Sequence, residues 1–274
     1  MSRPEELTSL NERCLLPNNS MQWTALRAAA DAERLARPMS IDECVRKLEG
    51  HGAALLDAYR GLRQSFAMLE PILPSGRVSR ALSNAAGREG LAALRQALFL
   101  GCALDVAKLS LDKNSRTPSL VRLVASLDQA AVVAALRSRS SHYCLPRKPG
   151  DDTDEASLRK IEEVEESARG KAFDERLASL REGWAVLSAE PLRPFAVLRD
   201  KYIAHLELRC RNGEYAPIDL GDLGLKWSDL GEAIAAMEPL VLGLTAVIRA
   251  ADFDMPAAVH HFERVRDDFW ARAR

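Results

Sequence analysis

Apolar residues recur along most of this chain every three to four positions, the period of a helix packed by one face. Strand-like alternation is almost absent, so the pattern predicts an all-α fold. Ser40-Ile41-Asp42-Glu43 has the form of a capping box, in which hydroxyl and carboxylate each satisfy a free backbone donor. It opens a helix running to about Leu73, with Leu48, Leu55, Leu62 and Met68 on its apolar face. Pro71, Pro74, Ser75 and Gly76 then break the chain. A second long helix is expected from about Val78 to Leu111, burying Leu91, Leu94, Leu98 and Leu109.

Asp112 to Pro118 reads as a polar turn. Pro118-Ser119 starts a shorter helix with Leu120, Leu123, Val124 and Leu127, which fades into the Arg/Ser-rich stretch around Arg137 to Ser141. After a loop through Pro146, Pro149 and Gly150, the carboxylates Asp151, Asp152, Asp154 and Glu155 suit the positive end of a helix dipole, a simpler reading than a metal site. Phe173, Leu177, Leu180, Trp184 and Leu187 form a stripe for packing on another helix. Pro191 and Pro194 restart the chain as a helix expected to end by about Arg211-Asn212-Gly213, before a loop with a short extended piece near Tyr215. Ser228 caps a last core helix to about Ala250, and a helix from Pro256 presents Val259, Phe262, Val265 and Phe269 on one side. The expected organisation is an N-terminal helical extension (1–39), a helical core (40–250) and a C-terminal amphipathic helix (251–274).

Composition narrows the function classes. With 274 residues, 47% hydrophobic and 28% charged, the chain has the make-up of a globular protein able to bury a core. A net charge of −1 gives no global nucleic-acid signal, so any RNA contact needs a local basic patch. Cys14, Cys44, Cys102, Cys144 and Cys210 are odd in number, scattered and never C-x-x-C, which argues against a disulfide framework or a zinc site. The N-terminus lacks a signal-peptide core, and the longest strongly apolar run, Pro239 to Ile248, is short for a membrane span. These features predict a soluble, cytoplasmic protein with no membrane partner. His260 and His261 make a poor metal pair, because adjacent helical residues diverge by ~100° and no acidic third ligand has the right spacing.

Arginine and histidine recur together at three places: Arg46 with His51, Arg137 with His142, and Arg199 with His205. Such a pair offers a cation for a phosphate and an imidazole that exchanges protons near neutral pH. In the first, Gly50 and Gly52 flank the histidine and no carboxylate follows the arginine, which points to a surface position. The second lies near a helix end, with loosely fixed side chains and a solvated histidine. The third sits within Leu198-Arg199-Asp200-Lys201-Tyr202-Ile203-Ala204-His205. On a helical wheel, Arg199 and His205 flank one apolar arc containing Phe195, Leu198, Tyr202 and Leu206, ~9 Å apart along the axis. A second copy of that helix in a symmetric dimer would bring two such pairs around one cleft. Between 193 and 211, five basic side chains (Arg193, Arg199, Lys201, Arg209, Arg211) face only Asp200 and Glu207, a local charge suited to a phosphate backbone.

An arginine, a following polar residue and a histidine after five intervening positions resemble the mark of the HEPN superfamily of all-α proteins. The form L-R-D-K-x-x-A-H looks closest to its abortive-infection, AbiU-like branch. The polar turn from Asp112 into Pro-Ser-Leu-Val-Arg-Leu and the segment Trp227-Ser228-Asp229-Leu230 resemble that branch too. The resemblance covers roughly residues 40 to 250; the first forty residues and the tail after Asp254 find no counterpart.

The resemblance implies a HEPN-like helical bundle and a metal-independent endoribonuclease of toxin or abortive-infection type, acting as a homodimer without a cofactor. Arg199, Asp200 and His205 would be catalytic: the imidazole moves protons, the guanidinium stabilises phosphoryl charge, and Asp200 orients the arginine or the partner protomer's histidine. Lys201, Tyr202, Arg209 and Arg211 would contact RNA, although Tyr202 also fits the packed arc. RNA is then the expected partner, and the resemblance also raises an antitoxin protein. The alternative is a non-catalytic HEPN-like binding or dimerisation module, with Arg199 paired to a neighbouring carboxylate and His205 hydrogen-bonded in an interface.

Overall fold

The computed structural model describes residues 39–74, 76–81, 85–146, 154–189, 191–200, 208–211, 214–217 and 224–272. For 208–211 and 214–217 it describes the backbone alone. One compact unit spans Ile41–Arg274.

Its elements, in chain order, are α1 (Ile41–Leu69), α2 (Arg77–Ala81), α3 (Ala85–Leu111), α4 (Leu120–Ser126), α5 (Ala130–Ser141), α6 (Glu155–Ala189), α7 (Arg193–Leu198), β1 (Leu208–Arg211), β2 (Glu214–Pro217), α8 (Trp227–Arg249) and α9 (Met255–Arg272). The described chain is an all-α bundle carrying one two-stranded antiparallel ribbon, in which Leu208 pairs with Pro217 and Arg211 with Glu214.

Helices α1 and α8 form the centre. They run antiparallel: Gly52 faces Ile248, the Tyr59 hydroxyl donates to the Ile234 carbonyl at 2.8 Å, and Phe66 lies against Gly231. Tyr59, Leu62, Leu230, Ile234, Met237, Val241 and Leu244 are all fully excluded from solvent, at 0% exposure. A polar thread crosses this apolar seam, where Tyr59 also donates to Glu238 Oε2 at 3.2 Å and Arg63 Nε lies 3.6 Å from the same oxygen. Burial beside Glu238 pushes the Tyr59 phenol far above its ordinary value, so it remains a donor at every relevant pH.

Helix α8 is apolar on most sides because it is covered on most sides. Helix α6 packs antiparallel along it, Leu180 against Gly243 and Gly183 against Leu240. Both glycines permit a close approach, since a Cβ at Gly183 would lie 3.0 Å from Leu240 Cδ2. By length and composition, both α8 and a span including most of α3 could cross a membrane; in α8 much of that apolar surface lies inside the bundle. Helices α3 and α5 flank α1, and α5 also packs on α6.

The anticipated packing stripe on α6 is present, with Phe173, Leu177, Leu180 and Leu187 buried and Trp184 half-buried. Its start differs slightly, since α6 begins at Glu155 and Asp154 accepts from the Ser157 amide. Of the expected second helix, α2 to Ala81 and α3 from Ala85 are described, residues 82–84 lying outside the described residues; Leu94, expected inside, is 42% exposed. The helix expected from Ser119 is two helices, α4 and α5, the second continuing to Ser141. Arg181 of α6 donates to the Leu127 carbonyl at 2.7 Å, capping the junction. Helix α8 starts two residues before the position implied by a Ser228 cap, at Trp227 with Lys226 as its N-cap. Its first-turn cap is Asp229, whose carboxylate accepts from the Lys226 amide at 2.8 Å.

The C-terminal helix α9 packs on α1. Phe262 is buried as expected, but Val265 and Phe269 are exposed. Met255 and Trp270 take the inner positions, and the Trp270 indole donates to the Met68 carbonyl.

Candidate functional site

The helix expected to carry the whole motif is shorter than the periodicity predicts. Its α-helical part ends at Leu198, Arg199 and Asp200 continue in a wider π-type turn, and by Leu208 the chain is a β-strand. Arg209 and Arg211, expected on the same helix as Arg199, therefore lie on β1. Asn212-Gly213 between β1 and β2 is the strongest short signal for a two-residue hairpin, and it outweighs helix propensity in the flanking residues. The extended piece expected near Tyr215 is β2. Lys201, Tyr202 and His205 lie outside the described residues.

The segment before the turn is firmly seated. Leu192, Phe195 and Leu198 recur every three positions and are 1%, 0% and 0% exposed, with α7 packed on α3. Pro194 near the start of α7 removes a backbone donor that would have no helical partner there. The apolar arc thus exists as far as it is described. Arg199 emerges beside it, 39% exposed, where the helix reaches solvent. Widened π-type turns recur at functional sites because they change where a side chain points relative to the regular helix.

Asp200 engages Arg199 directly. A single carboxylate oxygen, Oδ1, accepts from Arg199 Nε at 2.8 Å and lies 2.7 Å from Nη2. One oxygen thus meets one edge of the guanidinium, and the remaining donors of the fork point elsewhere. At 39% and 60% exposure the pair is screened by water, so its energetic weight is small, about 1 kcal/mol or less. Its consequence is orientation of the guanidinium.

The same helix α3 that seats α7 also holds the start of α8. Trp227 meets Phe99 edge-on at a 4.4 Å centroid distance, and the Arg95 guanidinium lies 5.7 Å from the Trp227 ring centre. Two of the three sequence elements that carried the HEPN resemblance, around Arg199 and Trp227, therefore share one supporting helix.

In each of the other two arginine–histidine pairs one member is held against a neighbouring element, in ways the sequence did not reveal. Arg137 is not loosely held. It lies over Gly170 and pairs with Asp174 of α6, Nε reaching both carboxylate oxygens at 3.0 and 3.1 Å. That interaction raises its already high pKa. His142, just past the end of α5, remains 75% exposed, with Nδ1 3.4 Å from Glu166. Arg46 is exposed, as expected, whereas His51 is half-buried, lining a cleft between α1 and α4. The signal lay in the spacing of Cys44, Lys47, Leu48 and His51, which places all four on one face of α1. Among the described residues, no three His, Cys, Asp or Glu side chains cluster in a way that would hold a metal ion.

A family model for AbiU2, of the HEPN type, matches residues 43–269. The match extends beyond the expected core and takes in most of α9. No curated protein and no solved structure gave a significant match. Matching motif elements, an all-α bundle and a family match over most of the chain lead to one conclusion: this chain belongs to the AbiU2 family of HEPN-type abortive-infection proteins.

Proposed function

We propose that the protein is a metal-independent endoribonuclease of abortive-infection type, working as a homodimer whose composite site contains Arg199 and His205. The observation that carries this reading is the family match over 43–269, which contains the R-D-x-x-x-x-H element in its expected order among the helices. The buried seat of Phe195 and Leu198 and the orientation of Arg199 by Asp200 support it, because a phosphate contact needs a guanidinium held in place.

The chemistry follows from those residue types. A 2′-hydroxyl loses its proton to an imidazole and attacks the adjacent phosphorus. The P–O5′ bond breaks, leaving a 2′,3′-cyclic phosphate on one product, and the departing 5′-oxygen takes up a proton. His205 serves as general base or acid, a role typically worth ~10²–10⁴ in rate. Arg199 stabilises the charge gathering on the non-bridging oxygens. A second protomer supplies a second imidazole, so that base and acid need not be one group. Lys201, Arg209 and Arg211 provide backbone contacts and Tyr202 a stacking surface, and their charge confers a salt-dependent affinity for RNA. An antitoxin partner would act by covering this site.

The test is the chemistry of the cut end. Purified protein in excess EDTA should yield RNA fragments ending in 2′,3′-cyclic phosphate, identified by mass spectrometry. Products ending in 3′-hydroxyl, or cleavage abolished by the chelator, would overturn the proposal. RNA binding without any turnover would identify a non-catalytic binding module instead.

A further inference from the structure

Between α1 and α4 lies a cleft of about 60 Å³, lined by Cys44, Lys47, Leu48 and His51 from α1 and by Arg122, Leu123 and Ser126 from α4. That volume is well above the ~10–15 Å³ that one water needs, and a tetrahedral oxyanion fits. Leu48 and Leu123 are buried and form its floor, at 6% and 1% exposure. Ser126 closes one side, its hydroxyl donating to the Arg122 carbonyl at 2.9 Å.

The charge around this cleft is one-sided. Many arginines of the bundle meet a carboxylate: Arg63 with Glu238, Arg77 with Asp267, Arg137 with Asp174, Arg139 with Glu49. Lys47 and Arg122 have no ion-pair carboxylate among the described residues, yet both lie close enough to His51 to depress its basicity, after burial itself. Two cations converge on a half-buried imidazole, and no ion pair among the described residues neutralises either of them. An anion would offset both.

We propose that this cleft binds a phosphoryl group, with Lys47 and Arg122 as the charge contacts and the His51 imidazole as a hydrogen-bond donor. The guanidinium offers a planar fork to two phosphoryl oxygens, the ammonium a point charge, and the ring an N–H. The cleft's size limits the ligand to a small oxyanion or the terminal phosphate of a mononucleotide. It involves none of the residues assigned to RNA cleavage, so it stands independently of that activity.

The experiment is titration of the full-length protein, at constant ionic strength, with inorganic phosphate and separately with AMP. Calorimetry gives the affinity, and the His51 ring resonance reports occupancy of this cleft as distinct from any phosphate held at Arg199. Saturable binding that moves the His51 resonance is expected. Lys47→Gln combined with Arg122→Gln should weaken it about tenfold or more without altering the circular dichroism of the free protein. Equal affinity for both ligands would locate all contacts in the phosphoryl group, whereas binding of AMP alone would identify a nucleoside monophosphate as the source. If the double variant does not fold, Arg122→Gln alone is read the same way. An unmoved His51 resonance, or an affinity unaffected by these substitutions, overturns the proposal and leaves the ribonuclease reading untouched, just as His205→Ala should leave this binding unchanged.

Discussion

Arg199 directs one edge of its guanidinium at a single oxygen of its sequence neighbour Asp200, and the two lie in the turn where α7 loses regular helical geometry. An aspartate directly after the arginine is legible as an orienting group, whereas the π-type turn is not, because no propensity scale encodes it. His51 departs from its sequence expectation for a related reason. Flanking glycines suggest exposure, but Gly52 packs against Ile248 of α8, and His51 lines the cleft between α1 and α4. Burial, reinforced by Lys47 and Arg122, holds the His51 pKa below 6.5. As the pH falls, the unfolded chain takes up this proton before the folded one, so stability declines from about pH 6.5 until the folded-state imidazole also protonates. Urea denaturation across this window should show that decline, and His51→Asn should flatten it. An identical slope in the variant would contradict the environment described for His51.

At the level of elements, long periodic helices are legible and short ones are not. The Phe173 to Leu187 stripe is long enough for its period to stand out, and it packs as that period predicts. The described residues between 191 and 217 hold a six-residue helix and two four-residue strands, each shorter than a window in which period 3.6 and period 2 separate. There Asn212-Gly213 is the better guide. Helix α9 shows another limit. Its apolar positions Val265 and Phe269 suggest one face, yet the face that packs carries Trp270, and Arg266 reaching Glu70 at 3.2 Å. The hydrogen bond from Arg266 and the charge of Arg77 help hold the Asp267 carboxyl below its usual range. Trp270→Ala should cost about 3–5 kcal/mol in denaturant unfolding, as for other buried large-to-small changes. Amides within Met255–Arg272 should lose exchange protection first. A loss under ~0.5 kcal/mol would mean that α9 is not integral to the bundle.

For the molecule as a whole, the all-α class and the family are legible because they rest on features spread over the full length: helical period, element order, and motifs at three separated places. The site is legible only in part. Arg199 and Asp200 are oriented by local contacts within one chain, whereas the proposed composite site would add groups from a second copy, about which a single sequence says little. Net charge near zero obscures the local positive segment in the same way. The central claim is that His205 and Arg199 perform RNA cleavage without a metal. The most direct measurement is the single-turnover cleavage rate of wild type, His205→Ala and Arg199→Ala in EDTA, with folding of each checked by circular dichroism. The account predicts that folded His205→Ala loses at least ~10²-fold in rate and that Arg199→Ala falls ~10²–10³-fold. A folded His205→Ala that cleaves as fast as wild type would contradict it.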